Sequence, residues 1–128
     1  MKKMSANTNA LNWFEISVTD IDRAKKFYEK IFDIEMHSMD MPDIKMAVFP
    51  SMGDKSGGAL AQSPYHQPSA AGSLIYLNAN PNLQLVLNRI ESAGGKVVMP
   101  KTQVSPEIGF MAMFNDTEGN MVALHSQE

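Results

Sequence analysis

The chain has 128 residues, of which 44% are hydrophobic and 20% are charged, a composition typical of one globular domain. Its 11 Lys and Arg face 14 Asp and Glu, giving a net charge of −3, so we expect no nucleic-acid partner. Without cysteine, disulfides, thiolate zinc sites and a cysteine nucleophile are excluded. The sequence has neither an apolar run long enough for a membrane span nor the pattern of a secretory signal, so we expect a cytoplasmic protein with no membrane partner.

The first half of the chain predicts one strand, one helix and three further strands. Residues 1–10 have no hydrophobic period and predict a flexible tail. Trp13–Val18 alternates between an apolar and a mixed face, which is typical of a strand. Thr19 or Asp20 then caps a helix that ends near Phe32. The mixed face of the first strand carries Trp13, Glu15 and Ser17, and further strands are predicted at 34–39, 44–49 and 58–62.

The second half repeats this order of elements. A strand is predicted at 74–78, and Asn80-Pro81 is typical of a helix cap followed by proline at the first helical position. Apolar residues at helical spacing continue to Ile90, and Gly94-Gly95 ends the helix. Residues 63–72 lack any period and predict a linker that shades the mouth of a cavity. The remaining strands are predicted at 96–99, 110–115 and 121–126, with a hairpin turn at 116–120.

The two halves also share local sequence. Met46-Ala47-Val48-Phe49 corresponds to Met111-Ala112-Met113-Phe114, and Ala59-Leu60 corresponds to Ala123-Leu124. Such a repeat predicts an α+β fold of two tandem βαβββ modules. We expect one curved eight-stranded sheet around a cavity, with the helices on the outer face. The modules span about 11–62 and 73–126 within a single domain at 11–128.

Three phrases, VTDIDRAKKFYEKIF, IESAGGKVVMPKTQ and GFMAMFNDTEGNMVALHS, resemble those of the vicinal oxygen chelate superfamily. This superfamily includes glyoxalase I, bleomycin resistance proteins, fosfomycin resistance enzymes and extradiol dioxygenases. The resemblance covers residues 11–126 and implies the paired βαβββ fold and a homodimer. It does not imply one activity, because the same fold hosts isomerases, transferases, oxygenases and binding proteins.

The resemblance also implies where a metal would bind. Metal-dependent members take one ligand, usually His or Glu, from each of four strands. Matched by motif, these positions are Trp13, Ala59, Ser73 (or Leu74 if the alignment slips by one residue) and Ala123. Because these side chains are not suitable ligands for a divalent metal, we predict no metal and no other cofactor.

Glu15 and His125 are the candidate catalytic residues. Each lies two residues beyond a ligand position, so strand alternation places both on the inward face, where they could meet as an acid–base pair. The alternative is that His125 is a solvated strand-end residue and that Glu15 pairs with another cation or a backbone donor. His37 and His66 are predicted to be ordinary exposed residues. The predicted ligand cavity is lined by Trp13, Glu15, Phe49, Tyr76 and His125.

Three functions are compatible with these observations. The first is a protein that binds a small organic molecule in a metal-free cavity, as the bleomycin resistance relatives do, and the sequence favours this one. The second is a metal-independent lyase, isomerase or dioxygenase-type enzyme that uses Glu15 and His125. The third is a metal enzyme of the glyoxalase kind with an atypical metal site.

Overall fold

Two consecutive βαβββ modules make up the chain, as the repeat predicts. The computed structural model describes residues 3–128, so the first two residues of the predicted tail lie outside the described range. The elements are β1 (Trp13–Ser17), α1 (Ile21–Phe32), β2 (His37–Met41), β3 (Ile44–Val48), β4 (Gly57–Gln62), β5 (Tyr76–Asn78), α2 (Leu83–Ala93), β6 (Lys96–Ser105), β7 (Gly109–Asn115) and β8 (Met121–Ser126).

Within residues 3–128, the eight strands form two four-stranded sheets and not the single eight-stranded sheet predicted from the sequence. The first sheet has the order β1-β4-β3-β2 and the second has the order β5-β8-β7-β6. In both, the first strand of the module pairs in parallel with the last, and the other pairs are antiparallel. The modules join through contact between α1 and α2, so their strand edges need not meet.

One apolar core is shared by both modules. It contains one face of α1, including Phe27 and Tyr28, and one face of α2, including Leu83 and Ile90. The ring of Phe114 on β7 lies 5.9 Å from that of Phe27 and 6.4 Å from that of Tyr28. The helix of the first module thus packs against a strand of the second. Neither helix in the described part of the chain is long and apolar enough to cross a membrane.

Equivalent polar contacts hold the start of each helix. The backbone N–H of Ile21 donates to Gln62 Oε1 at 2.9 Å, and that of Leu83 donates to Ser126 Oγ at 2.9 Å. Gln62 and Ser126 are the last residues of β4 and β8. The first N–H groups of a helix have no partner within the helix. In each module, the side chain of the last residue of the last strand accepts a hydrogen bond from one of these groups.

Several element boundaries differ from the sequence prediction, and the strand predicted at 74–78 is shortened to Tyr76–Asn78. The strand predicted at 34–39 occupies His37–Met41, and the strand predicted to end at 99 continues to Ser105. Pro100 is accommodated because the pairing of β6 with β7 shifts register between Met99 and Thr102, at an edge strand where no N–H is needed. The cap of α2 is Asn82, whose side chain accepts from the N–H of Gln84, rather than the predicted Asn80.

The β7–β8 turn ties the modules together through the carboxylates of Asp116 and Glu118. That of Glu118 accepts from the backbone N–H groups of Thr19 and Asp20, each at 2.9 Å. Asp116 is 5% exposed. Its Oδ1 accepts from the N–H groups of Glu118 and Asn120 at 2.8 and 2.9 Å, and its Oδ2 accepts from the hydroxyl of Tyr28 at 2.8 Å. Burial and the neighbouring Asp116 carboxylate raise the pKa of Tyr28 well above its ordinary value. The turn predicted at 116–120 therefore links the second module to α1 of the first.

Candidate ligand-binding site

Each sheet has one face covered by the helices and one face turned away from them, which we call the open face. In the first sheet, Ile16 and Leu60 belong to the core with the helices, whereas Met46, Ala59 and Ala61 form a separate cluster. Alternation along the paired strands assigns the other residues. The first open face carries Trp13, Glu15, Ser17, Met46, Val48, Ala59 and Ala61. The second carries Tyr76, Asn78, Met111, Met113, Ala123 and His125.

The positions that would hold a metal in the family lack suitable donors in the structure as well. Ala59 and Ala123 are fully buried on the two open faces. Glu15 pairs with Ala59, and Tyr76 pairs with Ala123, so the equivalent of Trp13 in the second module is Leu74, the alternative position, rather than Ser73. Nowhere within residues 3–128 do three or more His, Asp or Glu come together in a group that could hold a metal ion. This donor set does not fit a divalent metal.

Glu15 lies on the first open face in a chain of hydrogen bonds. Its Oε1 lies 2.8 Å from His66 Nε2, and its Oε2 accepts from the indole N–H of Trp13 at 3.1 Å. His66 Nδ1 in turn lies 2.6 Å from Ser63 Oγ. Because an ionised carboxylate only accepts, Nε2 is the donor, and in the neutral ring Nδ1 accepts from the Ser63 hydroxyl. We refer to Ser63, His66 and Glu15 as the relay.

The relay replaces the predicted contact between Glu15 and His125, which the structure does not bring together. The two residues belong to different sheets, and His125 Nε2 lies 2.6 Å from the carbonyl oxygen of Ile108. His66, predicted to be an ordinary exposed residue, has a side chain only 16% exposed. The linker therefore covers part of the first open face, as its position predicts. The sequence offers one indication that His66 could be the partner of Glu15. It is a titratable residue three positions after Ser63, in a segment otherwise rich in turn-forming residues.

The hydrogen bond from His66 has an electrostatic consequence for Glu15. It is the main cause that lowers the pKa of Glu15 below its ordinary value, against a smaller opposing effect of burial. Removing the imidazole in His66→Ala is therefore expected to raise the pKa of Glu15, as measured by an NMR titration of its side-chain carboxyl carbon. His125→Ala is the control and should leave that pKa unchanged. An equal rise in both variants would contradict the assignment of His66 as the partner.

Tyr76 and His125, both predicted cavity residues, line a cleft of about 380 Å³ on the second open face. Val104, Ile108 and Met111 supply apolar walls. The phenol of Tyr76 points to Met111, with its oxygen 4.0 Å from the sulfur. The bond to the Ile108 carbonyl fixes the His125 ring in the wall of the cleft. This arrangement offers an aromatic surface, a polarisable thioether and a few polar groups.

Phe49 was predicted to line the same cavity, and the structure places it on the opposite face of the first sheet. Its ring lies 5.7 Å from that of Phe14 and 5.8 Å from that of Tyr28, among the residues that pack on the helices. The reason is strand alternation: Val48 belongs to the open-face cluster, so the next residue turns to the other side.

Two tandem βαβββ modules, each with one open sheet face, place the chain among the α+β proteins with a paired βαβββ fold. The chain matches the Glyoxalase/Bleomycin resistance protein/Dioxygenase superfamily over residues 10–124, and it belongs to this family. A glyoxylase-like domain-containing protein of Didymella fabae is 27% identical over 117 residues, which cover 89% of this chain and 91% of that protein.

Solved structures show the same fold. A glyoxylase/bleomycin resistance protein/dioxygenase domain from Frankia sp. EAN1pec has a TM-score of 0.71 at 13% identity, covering 95% of this chain and 100% of that one. A glyoxalase I mutant from Zea mays has a TM-score of 0.65 at 16% identity and covers 90% of this chain. This chain spans only 45% of the length of the maize protein. At these identities the likeness concerns the fold alone.

Proposed function

We propose that the protein binds a small, flat organic molecule in the cleft on the second open face without the help of a metal ion. The observation that carries this proposal is the composition of the cleft: Tyr76 provides an aromatic surface 51% exposed, and His125 and Asn78 provide polar groups among apolar walls. A volume of about 380 Å³ lies within the usual range for ligand sites. The nearby positions that would hold a metal in the family carry no donor for one.

The test uses 2-naphthol, a flat and neutral probe, and isothermal titration calorimetry. Tyr76→Ala is expected to weaken its binding by about tenfold, because stacking on the phenol ring is lost. Tyr65→Ala is the matched control, since Tyr65 is 88% exposed and does not line the cleft. Chemical-shift changes should include Met111 and His125. Unchanged affinity in Tyr76→Ala, or an equal loss in Tyr65→Ala, would contradict the proposal.

The relay favours a second candidate function, metal-independent acid–base catalysis. Glu15 and His66 replace the pair Glu15 and His125 considered from the sequence, because a carboxylate, an imidazole and a hydroxyl lie in one hydrogen-bonded chain. Such a chain can move a proton next to a carbonyl group, as an isomerase does. The protein is then expected to accelerate deuterium exchange beside the carbonyl of 1-indanone, followed by NMR in D₂O. Equal exchange rates for the native chain and Glu15→Gln would exclude this candidate.

We also propose that two copies of the chain form a homodimer. Trp13 on the first open face is 43% exposed, and among the described residues the edge strands β1, β2, β5 and β6 each pair on one side only. Exposed edges and apolar surface favour association with another copy. Light scattering at micromolar concentration is expected to give twice the chain mass of 14.1 kDa. A mass equal to one chain would refute the dimer.

A further inference from the structure

A second cleft, of about 470 Å³, lies on the helix-covered side of the first sheet, between the two modules. Its walls come from the end of α1, from β1 and the segment after β3, and from the β5–α2 connection and α2. The cleft is lined by, among others, Phe14, Phe49, Leu77, Leu85, Val86 and Arg89. Trp13 and Phe14 point to opposite faces of β1, so this cleft lies on the other side of the first sheet from the first open face. It shares Leu77 and Asn78 with the cleft on the second open face, but not Tyr76 or His125.

The apolar wall of this cleft is held in place by packing. The rings of Phe14 and Phe49 lie 5.7 Å apart at an angle of 39°. Phe14 covers Gly58 on the neighbouring strand so closely that any Cβ there would overlap its ring. Leu77 and Val86, which line the same cleft, are each 7% exposed. A ligand body therefore meets a surface whose side chains are already ordered, which reduces the entropic cost of binding.

Arg89 is the one charged side chain among the described residues that line the cleft. One of its N–H groups, on Nη1, donates to the carbonyl oxygen of Ile31 at 3.1 Å, which fixes the guanidinium at the end of α1. A guanidinium has five N–H donors, so others are available. Arg89 makes no ion pair with any acidic group of residues 3–128. Its positive charge is thus not balanced by a carboxylate within this part of the chain.

We propose that this cleft binds a small organic acid, with a flat apolar body against Phe14 and Phe49 and one carboxylate on Arg89. Charge complementarity selects the anionic group, because a carboxylate accepts two parallel N–H bonds from a guanidinium. Neither the cleft on the second open face nor the relay contains an arginine. The site is therefore chemically distinct from the proposed open-face site and does not depend on its function.

The test compares 1-naphthoate with the neutral 1-naphthylmethanol by calorimetry on the full chain. The acid is expected to bind more tightly than the alcohol, and Arg89→Gln should weaken only the acid, by at least about tenfold. Lys26→Gln is the matched control, because it removes one positive charge from an exposed position of the other helix outside the cleft. Chemical-shift changes should map to Phe14 and Val86.

A second variant keeps the result interpretable if Arg89→Gln loses stability through its contact with Ile31. Leu85→Glu introduces a carboxylate one helical turn before Arg89, where such pairs stabilise a helix, and Leu85 is 54% exposed. It should abolish the preference for the acid without harming the fold. Equal affinity for acid and alcohol, an equal loss in Lys26→Gln, or shifts mapping to Tyr76 and His125 would each overturn the proposal.

Discussion

Glu118→Gln is expected to lower the free energy of unfolding at neutral pH by about 3 kcal/mol. The Glu118 side chain is fully buried and accepts from Arg23 Nε at 2.8 Å, from the Thr19 hydroxyl at 2.8 Å and from the Asp20 N–H at 2.9 Å. Burial opposes ionisation, but these bonds outweigh it and lower the pKa of Glu118 to about 2. Glutamine resembles the protonated form of Glu118, so the variant loses the stabilisation that the ionised carboxylate gives to the folded chain.

The same carboxylate predicts a pH dependence. Since its pKa is lower in the folded chain than in the unfolded chain, the stabilisation is complete above about pH 5 and is lost as the pH falls towards about 2. Urea unfolding of the native chain at several pH values should show this loss, and Glu118→Gln should show less of it. Glu107→Ala, at an exposed position in the β6–β7 turn, is the control. A native-like pH profile in Glu118→Gln would contradict the prediction.

Gly109→Ala is expected to lower the free energy of unfolding by about 3 kcal/mol or more. This is the second of the two largest effects that we expect. Gly109 has a φ of 98°, which residues with a Cβ rarely adopt, and a Cβ there would collide with the backbone carbonyl oxygen of Ser126. The neighbouring Ile108 carbonyl fixes His125. The substitution should therefore also weaken binding of 2-naphthol in the cleft on the second open face.

Gly119→Ala provides a matched control for this prediction. Gly119 has a similar φ of 90°, but no heavy atom outside Gly119 and its two chain neighbours lies within 4 Å of where its Cβ would be. Because only backbone strain opposes the added Cβ, Gly119→Ala is expected to lower the free energy of unfolding by about 1 kcal/mol. Thermal unfolding followed by circular dichroism measures both variants. Equal destabilisation would show that strain alone, and not the collision with Ser126, determines the cost at Gly109.

The modular fold could be predicted from the sequence because periodicity, caps and repeat agree locally. The caps Asp20 and Gly94 lie close to the predicted helix ends, and the repeat aligns β3 with β7 and β4 with β8. Whether the strands form one sheet or two depends on contacts between α1 and α2 that are distant in the sequence. Periodicity reports which residues share a face, and it carries no information about which edges meet.

The two proposed sites were harder to predict for three physical reasons. Trp13 and Glu15 share the first open face, as alternation in β1 predicts. The side of the sheet on which Phe49 lies could not be predicted, because it depends on which face of β3 packs on the helices. The partner of Glu15 comes from the linker, where His66 follows no period that a sequence pattern could reveal. Arg89 has an ordinary position on an amphipathic helix, and only the assembled modules show that it lies beside an apolar cleft.

The β7–β8 turn makes the folding of each module conditional on the other. Glu118 in the second module bonds the backbone that starts α1 in the first, and Asp116 bonds Tyr28 on that helix. Unfolding one module would leave buried polar groups of the other without partners, at a cost that a half-chain of this size cannot bear. The internal repeat therefore describes how the sequence is organised, whereas the cooperative unit is the whole chain, which should unfold in a single transition.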